Sequence, residues 1–467
     1  MHYRRWKSSV LGIGILFQVG SLWAQDPSID CTSEHLAKRA KKLGVESAKI
    51  EDSVHHSVAT LVIVRDRGGE TFHDACSGGF YQDQKHFVTA LHCVTQAKSM
   101  FLVVHDEDAE AIAVTRVESK GKETDVAVLE LEKPYPKAKP IAFASTTVSP
   151  GRKVMILPAC HVSIDDPTRS HGIGYVLRKD TLISGKNSLA VSFGLDVHQG
   201  MSGSLVIDEG GAFVGVATAN GQVSLVGYGG RTFQHPVIYR ENAIIDGAAL
   251  STVLEPVDDG KKDLEDFVAE FDATTFGQAL ILSRGQLDPA SQATMIHSLL
   301  PAYQDESLSL NLRLQVAHWI QLRSRSSAER LSVLRWIHAQ GLDPLDSYTL
   351  GSILHNVAET RPQAIDIFET ILKEYPDQAV ALMHLGYYYT AAGDRTNAAR
   401  IEALRVALLE RIRAQEALNP MDWAERLNPS RSEGSAIETP RGSNTLREPM
   451  TTFGRRKAGR HPRKACG

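Results

Sequence analysis

The sequence predicts a multidomain chain in which an all-β unit precedes an all-α unit, and three observations carry that prediction. At 467 residues the chain is too long for one ordinary domain. Between Ser53 and Ala249, short β-rich runs are separated by glycine and polar turns. Beyond about Leu254, glycines become sparse and apolar residues recur at helical spacing.

In the first part the strand-like runs include Thr60 to Val64, Phe87 to Thr89, Phe101 to Val104 and Val126 to Leu131. Val154 to Leu157, Leu205 to Ile207 and Phe213 to Ala217 follow. Many short strands with frequent turns describe a barrel or a sandwich. In the second part, Leu310, Leu314, Ala317 and Trp319 keep a helical period, as do Leu331, Leu334, Trp336 and Ile337. Ser326-Ser327-Ala328-Glu329 reads as a helix start, with Ser326 as N-cap and Glu329 three residues on. Pro344, Pro362 and Pro376 punctuate successive helices.

Three segments of the β part carry chemistry. They are Thr89-Ala90-Leu91-His92-Cys93, Thr124-Asp125-Val126-Ala127-Val128-Leu129 and Gln199-Gly200-Met201-Ser202-Gly203-Ser204. Together they supply a base, a carboxylate and a hydroxyl nucleophile. A serine hydroxyl is a poor nucleophile at neutral pH and needs an imidazole to take its proton. The imidazole needs an acceptor on its other nitrogen to fix its tautomer. His92, Asp125 and Ser202 fill those roles if folding brings them together. Gly200 and Gly203 permit a tight turn that exposes Ser202 and converges the amides of Gly200 and Ser202 on one oxyanion position. Asp106 and Asp108 are rival carboxylates in an acidic turn and read as solvated. His55, His105, His161, His171, His198 and His235 read as structural or surface histidines.

The ordered set resembles the His, Asp and Ser motifs of chymotrypsin-like serine proteases over roughly Ser53 to Ala249, about two fifths of the chain. The resemblance implies two β-barrels, with His92 and Asp125 on the first, Ser202 on the second, and substrate in the cleft between them. It also implies a Cys76–Cys93 disulfide, because Cys76-Ser77-Gly78-Gly79 precedes the histidine at the family's distance. Met201 replaces the aspartate that receives the cut N-terminus in animal digestive members, so that activation switch has no acceptor here. The Gly-Met-Ser-Gly-Ser form is similar to bacterial branches, including staphylococcal-type glutamyl endopeptidases and periplasmic heat-shock proteases. Asp196 stands where trypsin-like members place the acid of the primary specificity pocket, which implies a preference for Arg or Lys. Its bland alternative is a strand-end cap. Ala217 occupies the place of the histidine that glutamyl endopeptidases use. Thr218 matches a hydroxyl supporting the catalytic aspartate, and Ala219 and Asn220 would offer backbone to an extended substrate.

A second resemblance lies in the helical part. Ala364, Phe368, Pro376, Leu385, Gly386, Tyr389 and Ala398 are similar to one tetratricopeptide register, with Ala364 and Ala398 separated by the 34-residue period. Glu402 replaces the next large residue, and Leu350-Gly351 is displaced by one. One repeat cannot bury its own face, so 262–418 reads as a small helical-repeat array of degenerate members. A plain helical domain with the same spacing is the alternative.

Residues 1–24 read as a secretory signal peptide, with Arg4, Arg5 and Lys7, an apolar run from Val10 to Val19, and Leu22-Trp23-Ala24 before the cut. That run is too short for a bilayer span. The chain is then expected to be secreted or periplasmic, a compartment that permits disulfides. Five cysteines leave an odd count: Cys31 and Cys160 are a candidate second pair, and Cys466 a free thiol. The remaining divisions are an N-terminal segment at 25–52, the protease-like domain at 53–254 and a basic tail at 428–467 expected to be disordered. From Arg441 to Gly467 there are eight Lys or Arg against one Glu, within a formal net charge of −4. A solvated tail is the favoured reading, and no nucleic-acid partner is expected. No spacing matches a zinc site, HExxH, a P-loop or a dinucleotide fingerprint, so neither a metal nor another cofactor is expected. The expectation is therefore an exported serine endopeptidase acting on proteins or peptides, its helical domain binding substrate or a protein partner. A catalytically silent scaffold and an esterase are the competing readings.

Overall fold

The computed structural model describes residues 56–67, 69–104, 111–157, 173–181, 185–193, 200–224, 239–257, 263–376 and 378–418. The signal segment, residues 25–52, Asp196, Cys31, Cys160, Cys466 and the basic tail lie outside the described residues.

Thirteen strands are described. The first six are β1 (Val58–Arg67), β2 (Glu70–Phe80), β3 (His86–Thr89), β4 (Ser99–Val103), β5 (Ala111–Gly121) and β6 (Ala127–Leu131). They run in the order β5-β4-β1-β2-β3-β6, and pairing of β6 back onto β5 closes the sheet on itself. Every pairing is antiparallel. Side-chain alternation explains the closure: Ala59, Leu61 and Ile63 of β1 point inward and are fully buried, and β4 alternates between half-buried and buried residues along its length.

The next six are β7 (Lys153–Leu157), β8 (Ile173–Thr181), β9 (Gly185–Phe193), β10 (Leu205–Asp208), β11 (Phe213–Ser224) and β12 (Tyr239–Asp246). They form a second closed barrel in the order β10-β11-β12-β9-β8-β7. Its interior holds Val154, Ile156, Val176, Leu189, Val191 and Ile244. A separate apolar cluster joins the barrels, with Val88 and Val128 of the first against Leu205, Val216 and Ile245 of the second. The chain then returns: β13 (Leu254–Pro256) pairs with the end of β5, Leu254 opposite Gly121. The all-β double barrel is thus present, with β2, β5, β8, β9 and β12 in addition to the runs named above.

Ten α-helices are described. A short α1 (Leu250–Val253) precedes β13. The rest are α2 (Leu264–Asp272), α3 (Thr275–Arg284), α4 (Pro289–Leu299), α5 (Leu310–Arg323), α6 (Ser327–Ala339), α7 (Tyr348–His355), α8 (Arg361–Glu374), α9 (Ala379–Ala391) and α10 (Arg395–Leu418). Side chains of Asp263, Thr274, Asp288, Ser309 and Ser326 each accept a hydrogen bond from an amide in the first turn of the helix that follows. At Ser326 the expected box forms by half. Its hydroxyl accepts from the Glu329 amide, but the Glu329 carboxylate takes the Ser324 hydroxyl at 2.5 Å, and Ser324 Oγ caps the Ser326 amide. Ala364, Phe368 and Leu385 are fully buried in the helical region.

One hydrophobic cluster runs from the first barrel into the helices. It contains Leu91, Val94 and Met100 on the barrel side and continues through Phe271, Leu280, Val316 and Trp319 to Ile401. Helix α3 packs on the short 3-10 turn Leu91–Cys93, and α5 packs on β9 of the second barrel. Among the described residues no helix is long and apolar enough to cross a membrane.

Candidate active site

His92 sits in the 3-10 turn that follows β3, and Asp125 in the turn between β5 and β6. Because β3 and β6 are paired, with Thr89 opposite Ala127, the two turns leave the same end of the sheet. The Asp125 carboxylate holds His92 at two points. Oδ1 accepts the His92 backbone amide at 2.8 Å, and Oδ2 lies 2.7 Å from Nδ1. Both side chains are largely withdrawn from water, 12% and 6% exposed, so the contact is not diluted by solvent. It fixes Nδ1 as the protonated nitrogen and leaves Nε2 with a lone pair. The backbone of this turn is itself braced: the Thr95 hydroxyl donates to the His92 carbonyl at 2.9 Å, and Arg65 Nη2 donates to the Cys93 carbonyl at 2.7 Å.

Ser202 stands just before β10, on the second barrel. Gly200 has φ +96° and Gly203 φ +84°, both in the region that side chains other than glycine's rarely adopt. At Gly203 a Cβ would also fall on the Ser77 carbonyl oxygen and the Thr89 hydroxyl. The first barrel fastens this turn directly. The Ser77 amide donates to the Ser202 carbonyl at 2.7 Å and the Ser77 hydroxyl to the Gly200 carbonyl at 2.9 Å. Thr89 Oγ1 in turn donates to the Ser77 carbonyl at 2.7 Å. On its own barrel, Gly203 donates to Ala217 at 2.6 Å. With those carbonyls turned inward, the amides of Gly200 and Ser202 donate to no acceptor among the described residues. An oxyanion needs two such amides converging on one point. Ser202 Oγ likewise makes no hydrogen bond with a described residue, and no bond joins it to His92 here. In ligand-free sites such contacts are often long and tighten on substrate binding.

His92, Gly200 and Ser202 all line one cavity of about 340 Å³, together with Cys76, Cys93, Ala217 and Thr218. The Thr218 hydroxyl donates to the Ala243 carbonyl at 3.3 Å, and Asn220 lies farther along β11. Cys76 and Cys93 are joined in a disulfide, with an S–S distance of 2.04 Å. Both sulfurs approach His92, yet neither is a thiolate and so neither offers a metal a ligand.

The other wall of the cavity was not foreseen. It is built from the helical region: Ser283, Arg284, Gly285, Gln286, Trp319 and Arg323. Arg284 Nη2 lies 3.1 Å from Asp74 Oδ2, the same oxygen that pairs with Arg65, and Arg284 Nη1 reaches the Thr95 carbonyl at 3.3 Å. Gln96 donates its amide to Asp272 at 2.8 Å. Farther along, Asn311 takes the Lys186 amide at 2.8 Å, and Gln315 donates to the Glu123 carbonyl at 2.8 Å, two residues before Asp125. Helix α5 therefore spans from the second barrel across the turn of Asp125 to the cavity. No local sequence signal marks the six cavity-wall residues of the helical region, since each lies more than 150 positions from both His92 and Asp125.

The family model of the trypsin-like peptidase domain matches residues 76–216. No curated protein matches the chain. Among solved structures, a variant of the HtrA-type protease AlgW with a tripeptide is similar at 15% identity and TM-score 0.33, over 44% of this chain and 61% of that one. The Rv3671c protease from M. tuberculosis, active form, shares 15% identity at TM-score 0.32, over 45% of this chain and 85% of that one. The serine endoprotease from Yersinia pestis shares 16% identity at TM-score 0.31, over 44% and 64% respectively. The chain thus spans about three fifths of the AlgW variant's length. With the family match lying on the double barrel, the chain carries a trypsin-like peptidase domain, followed by a helical region.

Proposed function

We propose that the protein is an exported serine endopeptidase that hydrolyses peptide bonds through an acyl-enzyme. Ser202 Oγ attacks the scissile carbonyl carbon as His92 Nε2 takes its proton, and the amides of Gly200 and Ser202 stabilise the oxyanion. His92 then protonates the departing amine, the C–N bond breaks, and water releases the acyl group by the same relay. Asp125 orients His92 and stabilises the imidazolium. The observation that carries this reading is the double hold of Asp125 on His92, on a turn that opens to the same cavity as Ser202. The reading places the peptidase domain at 53–254 and the helical domain at 262–418, whose tetratricopeptide-like character and partner or substrate binding belong to it. So do export directed by residues 1–24 and a preference for Arg or Lys governed by Asp196.

The test uses a serine-directed fluorophosphonate probe on wild type and Ser202→Ala. Labelling of wild type alone is expected, with turnover of peptides exceeding that of simple esters. Asp125→Asn should lower kcat by about 10⁴-fold. Equal labelling of the Ser202→Ala protein removes the nucleophile, and an unlabelled wild type favours a silent scaffold. A cleavage profile with no basic preference, or one unaltered by Asp196→Ala, rejects the specificity assignment.

A further inference from the structure

The charges of the cavity do not balance. Among the described residues lining it, Arg65, Arg284 and Arg323 are cationic, and Asp74 is the one carboxylate. Asp74 is engaged by Arg65 and Arg284 through the same oxygen. Arg323 has no acidic partner among the described residues. Among the described residues, one of its five N–H donors, on Nη2, finds an acceptor, the Ser283 carbonyl at 2.5 Å, and the buried Nε finds none. The guanidinium lies against Gly285, where a side chain would collide with it, so a bare backbone makes its room. One helical turn earlier on α5, Trp319 lines the same cavity, and its indole N–H also meets no acceptor among the described residues. A partly buried cation costs free energy unless something anionic meets it, and burial already pulls the Arg323 guanidinium below its ordinary range.

We infer that Arg323 is a specificity residue that holds a carboxylate of the bound peptide inside the cavity onto which Ser202 and His92 open. The inference rests on the serine endopeptidase reading for its substrate, a peptide, and adds the chemistry the peptide must bring. Guanidinium and carboxylate match in planar, two-point geometry, and the Nη1 donors and the second Nη2 donor make no bond to a described residue. The helical region then supplies part of the substrate site itself. The carboxylate can be an Asp or Glu side chain or the peptide's own C-terminus. These share the same chemistry at Arg323 and differ in where the peptide ends.

The test compares matched peptides: one with an internal Glu, its Gln counterpart, and the Gln peptide with a free or an amidated C-terminus. Each is measured for kcat/KM with the full-length wild type, and for Kd with Ser202→Ala by fluorescence anisotropy. A charge-assisted contact of this kind should favour a carboxylate by about 10- to 100-fold in both. Glu over Gln identifies a side-chain source, and free acid over amide identifies the terminus. Arg323→Gln should abolish the preference, and Arg323→Glu should invert it toward a Lys-bearing peptide. Equal Kd for the Glu peptide, the Gln acid and the Gln amide overturns the inference, as does a carboxylate preference that survives Arg323→Gln. Should the Arg323→Gln chain not fold, the wild-type ratios and Arg323→Lys, which keeps the charge and should keep most of the preference, decide it. The Kd arm needs no catalysis. Arg323-dependent carboxylate binding by a protein that no serine probe labels would retain this inference and dismiss the peptidase reading.

Discussion

Asp272 ends helix α2 at the contact between helices and barrel, and its titration yields a sharp expectation. Burial pushes its carboxyl up from 3.8 to about 6, against the opposing pull of the Gln96 amide and the nearby Arg284 and Arg65. Oδ2 takes the Gln96 amide, while Oδ1 is buried with no partner among the described residues. A carboxylate whose folded pKa lies above its unfolded one binds more protons in the native state between the two values. Stability therefore falls as pH rises from about 4 to about 6, and the full penalty persists above that. At 1.36 kcal/mol per pH unit the gap corresponds to about 3 kcal/mol, and partial solvent screening reduces it to about 2. Asp272→Asn keeps an oxygen for Gln96 and abolishes the titration. The variant should match wild type below pH 4 and exceed it by about 2 kcal/mol at pH 7.5. Urea midpoints and slopes of the full chain, followed by tryptophan fluorescence at both pH values, give the comparison. An Asn variant that is no more stable than wild type at pH 7.5, or equally displaced at both, refutes the reasoning.

Gly203→Ala should destabilise by about 2–5 kcal/mol, combining a left-handed backbone with a clash onto Ser77 and Thr89. Urea unfolding checks it, and a loss under about 0.5 kcal/mol would be that of an ordinary surface position. Removing the Cys76–Cys93 bridge should cost about 3 kcal/mol, from the unfolded-chain freedom regained over a separation of 17 residues. Oxidised and reduced protein unfolding at one midpoint would contradict that. His384 stacks on Phe368 at 4.8 Å between centroids, and burial, aided by His355, draws its imidazole down to about 4. The unfolded chain then takes the proton first, so the helical region should lose stability as pH falls from 6.5 toward 4, and His384→Gln should flatten that loss. Far-UV circular dichroism melts at pH 7 and 5 that shift equally in wild type and variant would reject it.

The double barrel was legible because half-buried strands announce themselves by alternation, as β1 and β4 do. β2, β5 and β8 carry polar stretches such as Glu70-Thr71-Phe72-His73-Asp74 and Arg178-Lys179-Asp180, which raise no apolar signal on their own. They enter the sheet because neighbouring strands supply hydrogen bonds along their whole length. His92, Asp125 and Ser202 stood out in the sequence because nucleophilic chemistry needs particular residue types next to particular turns, and the fold brings His92 against Asp125 and onto one cavity with Ser202. Ser77 carries no signal in the sequence beyond its neighbouring cysteine, although it clamps the Gly200 and Ser202 carbonyls. Its role depends on the approach of two barrels, which no spacing along the chain encodes. The same holds for Arg284 and Arg323. Each is an arginine in the last turn of a helix, an ordinary place for a cation beside the C-terminal dipole, and only the fold aims both at the cavity.

The helical region and the peptidase domain are coupled through the turn that carries His92. Arg65 and Arg284 enclose Asp74 from opposite sides of the boundary, and both also reach the backbone of Thr95, three residues after His92. With the arginine side chains 5% and 6% exposed, neither can exchange its partner for water at little cost. A shift of α3 would strip a charge from that pair and pull on the segment that sets the histidine's position. Helix α5 acts on the other side, where Gln315 grips the Glu123 carbonyl beside the turn of Asp125. His92 and Asp125 are therefore both braced by helices, and their 2.7 Å contact depends on how those helices dock. A ligand that displaced α3 or α5 would alter the His92–Asp125 alignment and the cavity wall in one movement, since the same two helices brace the one and build the other.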